Sequence, residues 1–157
     1  MNKLSTLDGR TILVGVDDAP PAPIQIGSPE RGDFRGYEVD LLCEMEKRLG
    51  TQLRYCRALW SVIVSELTSG GLDIVCSAAT VTEERKHEVD FCRPHLDTSL
   101  AVVRKRNDPS KIDIRGARLG VRLGTTAEAY VRANGTPFRS DSRNRTTSCI
   151  CLSVEAN

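Results

Sequence analysis

Leu72-Asp73-Ile74-Val75-Cys76-Ser77-Ala78-Ala79-Thr80-Val81-Thr82-Glu83-Glu84-Arg85 decides how this chain folds. Leu72 to Cys76 is a short apolar run bounded upstream by Gly70-Gly71, the pattern of a buried strand. Thr82 is placed as a helix N-cap, with Glu83 and Glu84 in the first turn. This end of a strand and start of a helix, with its pair of threonines and lone arginine, suits holding a small carboxylate. Main-chain N–H groups at a helix start attract anions, and Arg85 can add a bidentate, charge-assisted contact to a carboxylate. The alternative is an ordinary strand–turn–helix with a surface arginine, paired to Glu88 or Asp90.

Outward from this stretch, strands and helices alternate. Thr11-Ile12-Leu13-Val14-Gly15-Val16 predicts a strand, followed by Asp17-Asp18-Ala19-Pro20-Pro21-Ala22-Pro23, which can be neither helix nor central strand. A loop at that end of a strand is where open α/β sheets place ligands. Glu30 to Asp33 predicts a turn. A helix opens at Gly36, with Val39, Leu42, Met45 and Leu49 on one face, and stops at Gly50. Gln52 to Cys56 alternates as a second strand. Trp60, Ile63, Val64 and Leu67 share a helical face. Ser99 to Val103 predicts a further strand, and Arg104 to Pro109 a polar break. Arg118 to Leu123 predicts another strand. Thr125-Thr126-Ala127-Glu128 matches a capping box opening a helix to about Ala133. The strand–turn–threonine–helix design therefore occurs twice. The fold class is α/β with a largely parallel sheet.

The bulk properties narrow the function. The 157 residues carry a formal net charge of +1 and 4% aromatic residues, so neither a polyanion-binding surface nor a base-stacking platform is expected. Neither nucleic acid nor a cofactor is expected as a partner. No apolar run approaches the roughly 20 residues that span a bilayer. Met1 to Leu7 holds no apolar signal region, which leaves a cytosolic chain or a processed one with an added start Met. Cys43, Cys56, Cys76, Cys92, Cys149 and Cys151 show no Cys-x-x-Cys spacing, and with His87 and His95 they complete no zinc pattern. Cys43, Cys56 and Cys76 are expected as buried thiols. Cys149 and Cys151 lie in a tail from Gly135 to Asn157, rich in Ser, Thr, Arg and Asn, for which the residues specify no element.

The order of several local pieces resembles the periplasmic amino-acid-binding proteins of ABC transporters, solute-binding family 3 with the type 2 periplasmic-binding fold. The pieces are Gly36-Tyr37-Glu38-Val39-Asp40-Leu41, Trp60, Leu72 to Arg85 as quoted, Val89-Asp90-Phe91, Leu96-Asp97, Val102-Val103-Arg104-Lys105, and Leu119-Gly120-Val121-Arg122-Leu123-Gly124-Thr125-Thr126-Ala127-Glu128. They run from about Leu7 to Ala133. The resemblance implies a first lobe over residues 1–103, the start of a second lobe over 104–134, and an atypical tail over 135–157. It implies that Arg85 clamps the ligand α-carboxylate, that Thr80 and the main chain near Ala78 hold the amino and carboxylate groups, and that Trp60 packs on the ligand side chain. Asp17 falls where members that take cationic amino acids have a side-chain acceptor, a position that is acidic in other members too, and Thr125 and Thr126 would offer hydroxyl and N–H groups from the second lobe. Each has a plainer alternative: core packing for Trp60, a turn acid for Asp17, a helix cap for Thr125. No residue is assigned to catalysis and none to a metal.

The implied function is capture of a small amino acid or similar zwitterion outside the cytoplasm, in the periplasm, and delivery to an ABC-type membrane permease. Relative to that family the chain is expected to be truncated, with a tail that suits a shifted reading frame or a cloning scar. Missing strands would leave sheet edges and apolar faces uncovered, so a homodimer or larger assembly is expected. The competing readings are an enzyme resembling cyclohexadienyl dehydratase, with His87 or His95 as acid or base, a sensor or channel ligand domain, and a fragment without function of its own.

Overall fold

The structure is a computed structural model that describes residues 9–19, 22–103, 119–134, 138–141 and 150–153. The chain divides into two units, Met1–Asp90 and Phe91–Asn157. Pro20 and Pro21, the polar break from Arg104, and Cys149 lie outside the described residues.

The first unit is built on β1 (Thr11–Asp17), flanked by β2 (Gln52–Ala58) and β3 (Ile74–Val75) in the order β2-β1-β3. Both pairings are parallel, Thr11 to Asp17 running against Gln52 to Ala58, and Val14 and Gly15 against Ile74 and Val75. As the central strand, β1 is buried from Val14 to Asp17, the pattern of a parallel sheet covered on both faces. Side chains alternate across it. Val14 and Val16 pack with Leu42 of α1 (Tyr37–Leu49) and with Phe34, Leu53 and Tyr55. Phe34 and Tyr55 meet edge to face at 5.2 Å. Gly15 faces the opposite side, where a Cβ would sit 2.5 Å from Leu72 Cδ1 and 3.4 Å from Ile63 of α2 (Ile63–Thr68). The helices therefore cover opposite faces.

Four expectations shift in this unit. β3 has two residues rather than five: beyond them single main-chain bonds remain, from Asp73 N–H to Leu13 O and Cys76 N–H to Gly15 O, and the return bonds go to side chains. The Asp73 carboxylate accepts from Leu13 N–H at 2.8 Å, and Asp17 N–H donates to Ser77 Oγ at 2.8 Å. The buried face of α1 does not include Met45, which is 37% exposed. Glu46 is half-buried instead, and its carboxylate accepts from Leu53 N–H at 2.8 Å. Trp60 lies outside α2, in a turn closed by Val62 N–H to Leu59 O at 3.0 Å. Cys43, Cys56 and Cys76, expected to be buried, are half-buried, and Cys92 is exposed.

In the second unit β4 (Ser99–Val102) pairs antiparallel with β7 (Ile150–Ser153), and β5 (Leu119–Arg122) pairs parallel with β6 (Phe138–Asp141). The sequence reading puts β4 within 1–103; it falls here in the unit that begins at Phe91. The helix α4 (Thr126–Ala133) closes a core of Leu119, Val121, Ala127 and Val131. The tail, for which no element is specified locally, thus supplies two strands. Strand formation there comes from pairing with β4 and β5, which a local pattern does not record.

Candidate functional site

The predicted first-lobe residues gather at the C-terminal ends of the parallel strands. Asp17 ends β1, Trp60 follows β2, and Ser77 to Thr80 follow β3. This is the edge at which open α/β sheets bind ligands.

Thr82 caps α3 (Glu83–Lys86) as expected, its hydroxyl accepting from Arg85 N–H at 3.3 Å. With four residues, α3 is a single turn, too short to offer an anion site of its own. What the turn does is aim Arg85. The guanidinium donates from Nη1 to Thr80 O at 2.8 Å, and its central carbon lies 5.2 Å from the Trp60 ring centroid, within cation–π range. A planar guanidinium has five donors in a fixed fork. Burial pushes the Arg85 pKa down, opposed by the charges of Glu84 and Glu88. A half-buried cation of this kind gains from a carboxylate partner.

Asp17 is 3% exposed, and its carboxylate accepts from Ala19 N–H at 3.3 Å, the turn role proposed as its plainer alternative. Ala78 adopts φ 53°, the left-handed region, the only such non-glycine among the described residues. Its N–H donates to Glu38 Oε1 at 2.9 Å. The structure thus brings Arg85, Thr80 and Trp60 together, and ties Asp17 and Ala78 to the same turn through Ser77 and Glu38.

Sequence reasoning missed Glu38, Gln25 and Ser77, which are 1%, 1% and 3% exposed. Gln25 Nε2 donates to Glu38 Oε2 at 2.9 Å and to Cys76 O at 2.7 Å. A signal existed for Glu38. It precedes Leu42 by four residues and so lies on the apolar face of α1, an unusual place for an acid unless it has partners.

In the second unit Thr125 is the N-cap of α4, its hydroxyl accepting from Glu128 N–H at 3.3 Å and donating to Arg122 O at 2.7 Å. Both capacities serve the cap. Thr126 is the first helical residue and is half-buried. Glu128 Oε2 accepts from Gly124 N–H at 2.7 Å, and its other oxygen pairs with Arg132 at 2.8 Å. Burial raises the Glu128 pKa, but the hydrogen bonds from Arg132 and Gly124 and the Arg132 charge outweigh it, and the net shift is downward. Such a carboxylate adds stability that is complete above its unfolded pKa, ~4.3, and lost as pH falls through the lower folded value. Glu128→Gln is therefore expected to lower stability at pH 7 and to flatten its decline from about pH 5 to 3. Parallel pH profiles from urea titration of the two proteins would contradict this.

Residues 12–147 match the family described as bacterial extracellular solute-binding proteins, family 3; the match extends past Ala133, into the tail. The chain is 30% identical over 129 residues to the L-cystine-binding protein TcyJ of Escherichia coli, covering 79% of this chain and 47% of that protein. It is 32% identical over 135 residues to the L-arginine-binding protein of Pseudomonas aeruginosa, covering 82% and 50%. The chain thus spans about half the length of the curated relatives it matches. Among solved structures, the ancestral amino acid-binding protein AncCDT-1, a precursor of cyclohexadienyl dehydratase, superposes with a TM-score of 0.82 at 27% identity, over 91% of this chain and 71% of that one.

Proposed function

The chain belongs to the bacterial extracellular solute-binding proteins, family 3, and on that premise we propose that it binds a small amino acid or similar zwitterion through its first unit. The observation that carries the reading is Arg85, half-buried and held by Thr80 O against the Trp60 ring. In this reading the guanidinium clamps the ligand α-carboxylate, and Thr80 and the main chain near Ala78 bond the amino and carboxylate groups. Trp60 borders the ligand side chain, and Asp17 lies where a cationic side chain would be met. Delivery to an ABC-type permease outside the cytoplasm completes the proposal. A binder is favoured over an enzyme because the relatives compared above are binding proteins, and because His87 and His95 are both exposed.

A thermal-shift screen against the common amino acids tests the function. A ligand at 100 times its Kd is expected to add ~2.7 kcal/mol of stability. Absence of any shift with amino acids or small carboxylates, together with turnover of prephenate or arogenate, would move the reading to an enzyme. We further propose a homodimer or larger assembly, supported by Leu100, Val102 and Val103, which are 36%, 40% and 48% exposed, a run of apolar surface on and beside β4. Light scattering at micromolar concentration is expected to give at least twice the monomer mass; a monomer would refute the assembly.

A further inference from the structure

We infer that Glu38 is a positioning residue that holds the ligand-facing turn in shape by clamping Ala78 in its left-handed conformation; the ligand part of this rests on the function proposed above. Ala78 has φ 53°, a conformation that a residue with a Cβ adopts only against a penalty. It persists when the surroundings over-determine it. The surroundings here are Glu38. Its carboxylate is buried, and its two oxygens take two separate donors, Ala78 N–H at 2.9 Å and Gln25 Nε2 at 2.9 Å. Gln25 is itself fixed, since Nε2 also donates to Cys76 O at 2.7 Å, while Oε1 has no hydrogen-bond partner among the described residues. Rotating the amide would exchange these two bonds for contacts of Oε1 with two oxygens, Glu38 Oε2 and Cys76 O. The clamp therefore spans α1, the loop that carries Gln25, and both sides of Ser77. It sets the direction of the main chain that leads to Thr80, whose carbonyl holds Arg85.

The chemistry requires an acid at this position. A carboxylate offers acceptors to both donors, whereas an amide offers one acceptor and brings a donor against the other. In Glu38→Gln one of the two donors loses its acceptor, and Ala78 becomes free to leave the left-handed region. The competent turn then becomes a minor state, and apparent affinity falls by its population. The left-handed penalty sets the size, on the order of five- to thirty-fold. A glycine adopts φ 53° without that penalty. Ala78→Gly in the Glu38→Gln background should therefore recover several-fold of the lost affinity, which a residue that merely fills the core would not allow.

The test has two arms. Amide hydrogen exchange on the full chain, without ligand, is expected to show Ala78 protected about as well as Val14 and Val16, and selectively exposed in Glu38→Gln. Fast exchange of Ala78 in the wild-type protein overturns the proposal, and that result needs no variant to fold. Unchanged Ala78 protection in Glu38→Gln overturns it too, as does equal loss of protection at Val14 and Val16. The second arm is calorimetric titration with L-arginine and L-cystine, where the loss in Glu38→Gln and its recovery with Ala78→Gly are expected. Unchanged affinity, or loss without recovery, overturns the positioning role. Failure of the wild-type protein to bind any amino acid would overturn the proposed function instead, and the exchange arm would still decide on Glu38.

Discussion

Arg85→Ala is expected to abolish any rise in melting temperature that an amino acid produces in the wild-type protein. Two parallel charge-assisted hydrogen bonds link a guanidinium to a carboxylate. Removing one partner of a buried charge pair costs about 2–5 kcal/mol, because the other is left desolvated. At 1.4 kcal/mol per tenfold, Kd would weaken by about 30-fold to several thousand-fold. The folded protein should lose much less. The hydrogen bond of Arg85 to Thr80 O and its ring contact with Trp60 are worth together about 1–2 kcal/mol. Arg85→Lys keeps the charge but not the fork, so it should fall between the two. Burial lowers the Arg85 pKa, but an arginine remains protonated throughout the working range. This contact should therefore hold across neutral pH and weaken with salt only slightly. A ligand-induced shift that survives Arg85→Ala would remove Arg85 from the site.

The parts of this arrangement that were legible in the sequence are encoded within a few neighbouring residues. Thr82 and Thr125 cap their helices through the residue three positions on, and the limits of α1 are written in Gly36 and Gly50. Strand–helix alternation and the gathering of Asp17, Trp60 and Thr80 at one sheet edge follow from topology. What stayed hidden depends on partners distant in sequence. Trp60 fits the helical spacing of Ile63 and Leu67, yet it lies in the turn before α2, beside Arg85. β6 and β7 exist through pairing with β5 and β4. Glu38 was quoted only as part of a motif, because an acid in the first turn of a helix is ordinary on electrostatic grounds. Its place on the apolar face of α1 hints at burial, but the main-chain N–H it holds appears only when the end of β3 is folded over it.

The second large effect is expected at Gly36, which joins the loop to α1. Gly36 has φ 132°, a region that is essentially closed to residues with a Cβ. An added Cβ would also lie 2.5 Å from Ile24 O and 2.8 Å from Pro23 O. Those two carbonyls accept the first N–H groups of α1, from Glu38 at 3.1 Å and from Tyr37 at 3.4 Å. Gly36→Ala therefore adds about 1–3 kcal/mol of backbone strain and endangers two hydrogen bonds worth about 1 kcal/mol each. The sum, roughly 3–5 kcal/mol, is a large share of the 5–15 kcal/mol that holds a typical domain folded. The melting midpoint should fall by on the order of 10 °C or more. Gly32 supplies the control. It too has positive φ, 71°, but nothing lies within 4 Å of an added Cβ, so Gly32→Ala should cost only the conformational penalty of about 1 kcal/mol. Urea denaturation of the two variants separates strain from collision. Equal losses would show that the carbonyls of Pro23 and Ile24 yield, and that the loop does not hold the start of α1 rigidly. A much larger loss in Gly36→Ala, with ligand affinity reduced in the fraction that still folds, would tie the loop, the start of α1 and the Glu38 clamp into one mechanical unit.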